Sequence, residues 1–580
     1  MKRILTSLIC LIALSSDVLA NATAGKEVKQ TGFTEAIETI SLSDTNKNST
    51  QKISKISRAL ELPHISFEEQ AVNLIKANYE SKERILLDIA KIEDARALPF
   101  IQSVLNGEVF YIKKTQQLVY RTLQDNKKYL AVSALDNTQL GEFKKRKLKK
   151  VGINNHLRGE IKTIIAKLQI TSKDDDLRKQ AALEVLKNAN ESFLNLIEQS
   201  INNETDLEIS EILLTAQSII NLQSPQSKKR RDAIKVLHGS LYVESRNALS
   251  LFIDENAVAI SDASKHELAL AQEALNAIDK LVKLNNVAEN IYFGLSLGSV
   301  LLLAAIGLAI TFGVMGVINM AHGEMIMLGA YTTFVIQQLM PNHAGLSLIV
   351  AIPAAFLVSG IMGVIIERTV IRHLYGRPLE TLLATFGISL VLQQAVRSIF
   401  GPLNQDVVTP SWMAGTFSVN PGLELTFNRL YIIIFSLMVL AALALLLKKT
   451  LFGLQMRAVT MNRPMASSMG IRTGWVDALT FGLGSGIAGI AGVALSQLTN
   501  VGPNLGQAYI IDSFMVVVFG GVGNLWGTLV GAMSLGIANK IFEPMAGAVL
   551  AKIIVLIAII LFIQKRPRGL FALKGRAVED

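Results

Sequence analysis

Three side chains able to exchange hydrogen bonds with a solute lie close together in a segment that is otherwise apolar. Asn319, His322 and Glu324 occur within Met315–Tyr331, MGVINMAHGEMIMLGAY. The surrounding apolar run is long enough to cross a membrane, and polar groups at that depth are costly. Such groups tend to face a protein interior or a solute path. The segment therefore indicates a transporter rather than a protein that is merely anchored in a membrane.

A second polar set follows one face of a later apolar segment. Thr385, Ser389 and Gln393 stand four residues apart, which places them in one stripe along a helix. This stripe suits the path of a small polar solute, and hydrogen bonding between helices is an equal alternative. We predict a substrate path with these members: Asn319, His322, Glu324, Thr385, Ser389, Gln393, Asn500 and Asn524. Because Glu324 is expected to open a helix, a capping role competes with a substrate contact there.

The sequence lacks the motifs of an enzyme, a nucleotide site or a metal site. No segment fits G-x-x-x-x-G-K-[ST], the seven histidines are scattered, and no nucleophile stands at a recognisable spacing from a base. Cys10 is the only cysteine, and removal of a signal peptide that contains it would exclude disulfides and cysteine chemistry. We expect a transport chain that is not an enzyme and holds no cofactor or metal of its own.

Hydropathy divides the chain of 580 residues into two halves. Charged residues recur throughout 21–290, whereas 291–563 is a series of apolar runs near the roughly 20 residues that a spanning helix needs. The first twenty residues, MKRILTSLICLIALSSDVLA, match a cleavable secretory signal; an uncleaved anchor helix is the alternative. The predicted domains are a signal peptide (1–20), an extracytoplasmic helical domain (21–290) and a transmembrane domain (291–580).

Lysine and arginine positions predict the orientation in the membrane. In the second half they gather at 368–377, 448–472 and 565–576 and are absent from the intervening loops, as the positive-inside rule requires. The net charge of +10 is thus a topology signal and does not indicate nucleic acid. We predict a multi-pass membrane protein with its N-terminal domain outside the cytoplasm and its C-terminus inside. About nine spans are expected, at 292–314, 324–340, 346–367, 380–400, 429–448, 473–495, 509–522, 526–540 and 546–563.

Small residues predict close helix packing in the membrane half. Gly482 and Gly486 belong to FGLGSGIAGIAG, and Gly523, Gly527 and Gly531 recur at four-residue intervals, which favours close approach of helix backbones. The short seventh and eighth spans flank Gly520–Asn524 and are candidates for broken or re-entrant helices.

The first half is predicted to be mainly helical. Its short amphipathic segments resemble a HEAT-like solenoid, and an irregular helical domain is equally compatible because no internal period is visible. Val109–Tyr120 is rich in β-forming residues and predicts a small hairpin. The basic run Lys144–Lys150 is interpreted as a solvated helix face, with contact to acidic lipid or an acidic partner as the alternative. The overall fold class is all-α.

Five motifs in the second half resemble ABC importer permeases of the branched-chain amino acid type. They stand in one order: Met315–Tyr331, Glu367–Ser389, Gly453–Gly470, Phe519–Gly527 and Arg566–Phe571. Within that family, INMAHGE, RPLETLLATFGISLVLQQ and FIQKRPRGLFALKGR look most like the urea permease subunits. The long extension before the permease domain is also similar to that subtype.

This resemblance implies an assembly. Its expected partners are a second homologous permease subunit, two cytoplasmic ABC ATPase subunits, a periplasmic solute-binding protein and membrane lipid. ATP would be used by the partner ATPases, which push on a coupling loop of this chain. Gly453–Gly470 would be that loop, with Arg457, Asn462, Ala466 and Gly470 at the recurrent positions. The implied function is ATP-driven urea uptake by alternating access, and the implied location is the bacterial inner membrane with the N-terminal domain in the periplasm.

Other functions fit the same features. Branched-chain amino acids or short amides are the alternative substrates. A membrane-anchored receptor or sensor that binds its ligand with residues 21–290 is an alternative of another class, and a passive channel is a third.

Overall fold

The computed structural model describes residues 66–92, 94–123, 128–257 and 262–571. The predicted signal peptide lies outside these residues. The chain forms two compact units. Of the described residues, one unit contains those up to Ala97 together with those in Gly107–Gly152, and the other contains Leu98–Asn106 and those from Ile153 onward.

The first unit combines two helices with an antiparallel sheet. Ser66 is the N-cap of the first helix, because its hydroxyl accepts a hydrogen bond from the Glu69 backbone N–H at 3.2 Å. The predicted hairpin is confirmed, with Val109 opposite Tyr120, and it belongs to a larger five-stranded sheet of order β4-β3-β2-β1-β5. The elements are α1 (Phe67–Asn73), α2 (Tyr79–Lys91), β1 (Val109–Ile112), β2 (Leu118–Leu123), β3 (Tyr129–Ser133), β4 (Gln139–Phe143) and β5 (Leu148–Lys150).

The basic run Lys144–Lys150 forms a 3₁₀ turn over Lys145–Lys147 and then the edge strand β5. The predicted helix is therefore wrong, although the exposure of the basic side chains is confirmed. Leu148 alone of these residues is buried. A single inward apolar residue between lysines suits a protected edge strand better than a helix, which would bury a longer stripe.

The first part of the second unit is a set of short amphipathic helices. In α5, Ala181, Ala182, Val185 and Leu186 form the buried face, as the spacing of apolar residues predicts. Helix α4 packs on α5, α5 packs on α7, and α7 also contacts α6 and α8. The helices are α3 (Ala97–Asn106), α4 (Asn155–Gln169), α5 (Asp175–Lys187), α6 (Leu194–Asn203), α7 (Leu207–Asn221), α8 (Ser227–Leu237) and α9 (Val243–Glu255).

One long helix, α10 (Asp262–Met315, 54 residues), joins this helical set to the apolar bundle. At 1.5 Å per residue it extends roughly 80 Å. Near its start it packs against α8 and α9 and buries Ala271, Ala274 and Ile278. The predicted domain boundary at residues 290 and 291 falls inside this continuous helix.

Helices occupy all nine ranges in which spans are predicted. Seven helices of the described chain are long and apolar enough to cross a membrane, and α11 and α18 are not among them. With 16 residues, α18 extends about 24 Å, less than the roughly 30 Å hydrocarbon core. The bounds after α10 are α11 (His322–Leu339), α12 (Ala344–Thr369), α13 (Pro378–Phe400), α14 (Phe427–Lys449), α15 (Leu451–Met461), α16 (Arg463–Ser468), α17 (Thr473–Ser496), α18 (Leu505–Gly520), α19 (Leu525–Ala546) and α20 (Ala548–Lys565), with a hairpin of β6 (Thr416–Asn420) and β7 (Leu423–Thr426) before α14.

Two helices form the centre of the bundle. The most apolar windows of α10 and α17 are 83% buried, whereas those of the other five candidate spans are 17–39% buried. Around this centre α12 and α11 pack on α17, and α19 packs on α10. The outer helices therefore expose most of their apolar surface.

The glycines predicted to mediate packing lie at close backbone contacts, with one difference. A Cβ on Gly482 would meet the Gly360 carbonyl of α12 at 3.2 Å, and one on Gly531 would meet the Val516 carbonyl of α18 at 2.9 Å. A Cβ on Gly486 would meet Phe356, and one on Gly527 would overlap the Gly520 carbonyl. Gly523 lies in the link before α19 with φ +77°, so it is not on the helix face predicted for it, but it too is at a close contact, since a Cβ on Gly313 of α10 would lie 2.6 Å from its Cα.

Candidate functional site

The polar segment Asn319–Glu324 lies at a break between α10 and α11. Gly316, with φ +67°, ends α10, and α11 begins at His322. The Asn319 side-chain oxygen accepts a hydrogen bond from the Ala321 backbone N–H at 3.0 Å. Glu324 stands in the first turn of α11, where the exposed N–H groups of a helix favour a carboxylate. The predicted helix start at this residue is thus confirmed.

His322 fastens α11 to the central helix. The side chain is fully buried, and its Nε2 lies 2.9 Å from the Ala304 carbonyl oxygen of α10. Because a carbonyl can only accept, Nε2 carries the hydrogen. Nδ1 has no hydrogen-bond partner among the described residues. A Cβ on Gly307 would lie 2.8 Å from the imidazole, so glycine makes room for the ring.

The polar stripe of α13 meets this segment. Oε1 of Glu324 accepts hydrogen bonds from Ser389 Oγ at 2.9 Å and from Gln393 Nε2 at 2.7 Å. One helical turn away, Thr385 Oγ1 accepts a hydrogen bond from the Met320 backbone N–H at 3.1 Å. We call these five residues the α11–α13 seam: Met320, Glu324, Thr385, Ser389 and Gln393. It joins two polar groups that stand 65 residues apart in the sequence.

Two atoms beside these bonds have no partner in the described part of the chain. They are Oε2 of Glu324 and Nδ2 of Asn319. Both side chains are buried, with exposed fractions of 1% and 2%. A buried polar atom without a hydrogen bond is costly. Oε2 of Glu324 is therefore available as an acceptor, and Nδ2 of Asn319 as a donor, for a bound molecule.

The structure does not bring the other two path candidates to the seam. Asn500 is exposed in the loop between α17 and α18. Asn524 caps α19, because its side-chain oxygen accepts hydrogen bonds from the Trp526 and Gly527 backbone N–H groups at 3.0 and 3.2 Å. Their predicted membership of a substrate path therefore gains no support from the seam and stays a prediction. Asn524 is polar because a helix start needs a capping side chain.

The predicted coupling loop consists of the two short helices α15 and α16. Asn462 separates them and accepts a hydrogen bond from the Met465 backbone N–H at 3.0 Å, and Gly470 follows with φ +87°. Ala466 is buried and Arg457 is exposed. Three methionines project from the segment with exposed fractions of 62–86%: Met461, Met465 and Met469. Flexible, apolar methionine surfaces are typical of protein contacts.

Sequence reasoning missed an ion pair that holds α16 to α17. The guanidinium of Arg463 bonds to both carboxylate oxygens of Asp477, with Nη1 to Oδ1 at 3.3 Å. Asp477 is fully buried, and the ring of Tyr375 lies 4.3 Å from the Arg463 guanidinium carbon. Burial raises the pKa of the Tyr375 hydroxyl, which therefore stays protonated. The signal was present, since a lone acidic residue in an apolar segment requires a cationic partner.

Within the described ranges, no group of three or more histidine, cysteine, aspartate or glutamate residues is arranged to hold a metal ion. The site is instead a hydrogen-bonding seam inside a bundle of apolar helices, with an exposed helical segment between α14 and α17. This combination is typical of a membrane protein that crosses the bilayer several times and holds a polar site among its helices.

Comparison with known proteins identifies the family. Residues 290–563 match the family described as "Branched-chain amino acid transport system / permease component". The chain is 30% identical to the high-affinity branched-chain amino acid transport permease BraD of Pseudomonas aeruginosa, over 48% of this chain and 93% of the relative. It is 31% identical to LivH of Escherichia coli strain K12, over 49% and 94%.

A probable LivH of Methanocaldococcus jannaschii is 27% identical over 42% of this chain and 77% of that protein. No solved structure gave a significant match. The chain belongs to the branched-chain amino acid permease family of ABC transporters. Its relatives are transport subunits rather than enzymes, and the matched residues begin at 290, after the short helices.

Proposed function

We propose that this chain is the permease subunit of an ATP-driven importer that carries urea across the bacterial inner membrane by alternating access. The observation that carries the proposal is the α11–α13 seam. Urea is neutral, planar and rich in N–H donors with one carbonyl acceptor, so carboxylate, amide and hydroxyl groups suffice to bind it. The resemblance of the INMAHGE and RPLETLLATFGISLVLQQ segments to urea permeases supports the same substrate.

Branched-chain amino acids are the second candidate substrate. The relatives BraD and LivH, which are branched-chain amino acid permeases, favour them. An amino acid presents an ammonium and a carboxylate group, which would find Glu324 as a counter-ion at the seam. The two candidates therefore differ in the charge that the site must accept.

The proposed assembly contains a second homologous permease, two ABC ATPases and a solute-binding protein. In this arrangement α15 and α16 face the ATPases on the cytoplasmic side, and the short helices before α10 lie in the periplasm. The exposed Met461, Met465 and Met469 support a protein contact at α15 and α16. The ion pair between Arg463 and Asp477 would transmit movement of that contact to α17.

Uptake by cells tests the substrate. Cells that carry the intact transport system, and matched cells that lack only this chain, are given labelled urea or labelled leucine. Urea uptake that depends on this chain and on ATP supports the proposal. Uptake of leucine alone rejects urea in favour of the second candidate. Urea flux that persists without ATP would indicate a passive channel instead.

A further inference from the structure

Helix α13 is built with its polar side inward. Four of its five buried residues are polar, and they stand four residues apart: Thr381, Thr385, Ser389 and Gln393. Its outer face is apolar, with Leu383, Leu390 and Val391 exposed by 47–72%. Such a polar stripe can hold membrane helices together by hydrogen bonding or can face a solute. Among the described residues, the buried atoms Oε2 of Glu324 and Nδ2 of Asn319 beside it have no hydrogen-bond partner, which favours a solute over packing alone.

The hydrogen bonds across the seam are of a kind that a solute can replace. Ser389 and Gln393 donate to the same oxygen of Glu324, while the second carboxylate oxygen has no partner among the described residues. An exchange of one hydrogen bond for another costs little net free energy. Glu324 can thus exchange its hydrogen bonds with the side chains of α13 for hydrogen bonds with a solute at little net cost in free energy.

We propose that the α11–α13 seam, with Asn319, is the solute-binding site and that α13 moves away from α11 to admit the solute. Oε2 of Glu324 accepts an N–H group of the solute, and Nδ2 of Asn319 donates to a neighbouring solute oxygen. The ligand class is a small molecule with an N–H donor beside an oxygen acceptor. Urea and simple amides meet this requirement, and so does the ammonium and carboxylate pair of an amino acid. The inference rests on the proposed transport function.

The movement of α13 follows from burial. Glu324, Ser389 and Gln393 have exposed fractions of 1–5%, so a solute cannot reach them in this arrangement. Beyond the seam, the Arg397 guanidinium bonds to Asn504 at 2.6 Å, and the ring of Phe400 lies 4.7 Å from that of Tyr331 on α11, so these two contacts shift together with the seam. A polar seam that opens is consistent with alternating access.

A cysteine reporter tests the site directly. Cys10 is the only cysteine of the sequence, so a C10S background gives a chain with one introduced thiol. S389C places the thiol in the seam, and V391C, two residues away on the exposed face of α13, is the matched control. The reconstituted full transporter is treated with a small charged methanethiosulfonate during ATP turnover, with and without saturating urea or leucine.

We expect S389C to react during turnover and to be protected by the transported solute, while V391C shows no protection. Absence of reaction at S389C, or an equal rate with and without either solute, overturns the proposal. T385C lies on the same face and replaces S389C if that variant fails to insert. Protection by leucine alone would support the seam while rejecting urea, so the two proposals fail separately.

Substitution of Glu324 distinguishes a neutral N–H donor, as in urea, from the ammonium group of an amino acid. In E324Q one carboxylate oxygen is replaced by an NH2 donor, so a single acceptor oxygen remains and the negative charge is lost. An ammonium ligand should then bind about tenfold more weakly or worse, because a charge-assisted hydrogen bond is roughly twice as strong as a neutral one. Urea binding should weaken less than binding of the ammonium ligand, because its neutral N–H group loses a charge-assisted hydrogen bond but no ion pair. Wild-type affinity of E324A for both solutes contradicts a binding role.

Discussion

The side chains of Glu324 and Asp477 show two ways in which a carboxylate is kept in an apolar bundle. Glu324 receives neutral hydrogen-bond donors on one oxygen and leaves the other without a partner in the described chain. Asp477 receives the guanidinium of Arg463 on both oxygens. The first arrangement leaves an acceptor available for exchange, whereas the second is closed and suits a structural link. Their different chemistry supports different roles.

The closed arrangement predicts a stability loss at α16. Asp477→Ala leaves Arg463 without its counter-ion, and removal of one partner of a buried pair costs about 3 kcal/mol or more. The loss should be smaller here because the Arg463 side chain is 39% exposed. Apparent melting temperatures of the purified chain measure the effect. The double variant R463M/D477L should melt closer to wild type than D477A, and equal melting of all three chains would refute the link.

The carboxylate of Glu204, between α6 and α7, predicts that the stability of the folded chain depends on pH. Glu204 bonds to Arg178 at 2.9 Å, and this contact lowers the pKa of the Glu204 carboxyl group below 4.5. The folded state therefore favours the ionised form more than the unfolded state does. The resulting stability is present above about pH 4.5 and disappears as the pH falls through the lowered folded-state value.

Glu204→Gln should remove this contribution. At pH 7 we expect the free energy of unfolding to fall by about 2 kcal/mol, since a hydrogen bond to a buried charge is lost. The difference from wild type should shrink as the pH falls towards 3. Thermal unfolding of the full chain from pH 3 to 7 measures it. Glu208→Gln is the control, because its pair with Lys179 is 58% and 40% exposed; a similar loss there would contradict the explanation.

At the scale of elements, hydropathy predicts the helices well and their contacts poorly. Apolar runs locate all nine helices because segments in the hydrocarbon core must be apolar and must satisfy their backbone hydrogen bonds within the helix. The register between helices depends on which faces meet, and a single sequence does not contain that information. Gly482 was therefore recognisable as a small residue, but its contact with Gly360 was not predictable. Gly523 was misplaced for a related reason: the four-residue spacing continues across the start of α19.

The contact of α11 with α17 tests this view of packing. A Cβ on Gly329 would overlap the Gly489 carbonyl and lie 2.6 Å from the Gly489 Cα. Gly329→Ala must push the helices apart, and overpacking of this kind costs about 1–3 kcal/mol. Gly387→Ala is the matched control, since nothing lies within 4 Å of its Cβ position.

In that control, alanine should raise helix stability by up to about 1 kcal/mol. Melting temperatures of the purified variants should therefore move in opposite directions. A loss of similar size in both variants would show that helix propensity or insertion, rather than close approach, sets the outcome.

Over the whole molecule, the change in composition near residue 290 does not coincide with the end of a helix. The change from charged to apolar residues near residue 290 suggested a domain boundary, but α10 passes through it unbroken. Hydropathy reports the change of surroundings, and nothing in it reports whether a helix ends. The hairpin of β6 and β7 is also hydrogen-bonded to α10. Asn285 Nδ2 donates to Asn420 at 3.0 Å, and the Tyr292 hydroxyl donates to the Thr426 carbonyl at 2.6 Å.

This continuity makes α10 a stiff link between the short helices and the α11–α13 seam. It packs against α8 and α9 near one end, and close to its other end the Ala304 carbonyl accepts the hydrogen bond of His322, two residues from Glu324. If a solute-binding protein docks on the short helices, its contact can reach the seam through this helix. A flexible linker would not transmit such a displacement.

A kink in α10 tests the link. Ala288 is exposed, so Ala288→Pro removes a helix hydrogen bond and bends the axis without filling a packed site. ATP hydrolysis by the reconstituted assembly, with and without the binding protein, is the measurement. We expect the stimulated rate to fall towards the basal rate in A288P, with the basal rate retained, and A288S to behave as wild type. Full stimulation of A288P would mean that the binding protein acts on the membrane helices directly, and α10 would then serve only to tether the two regions.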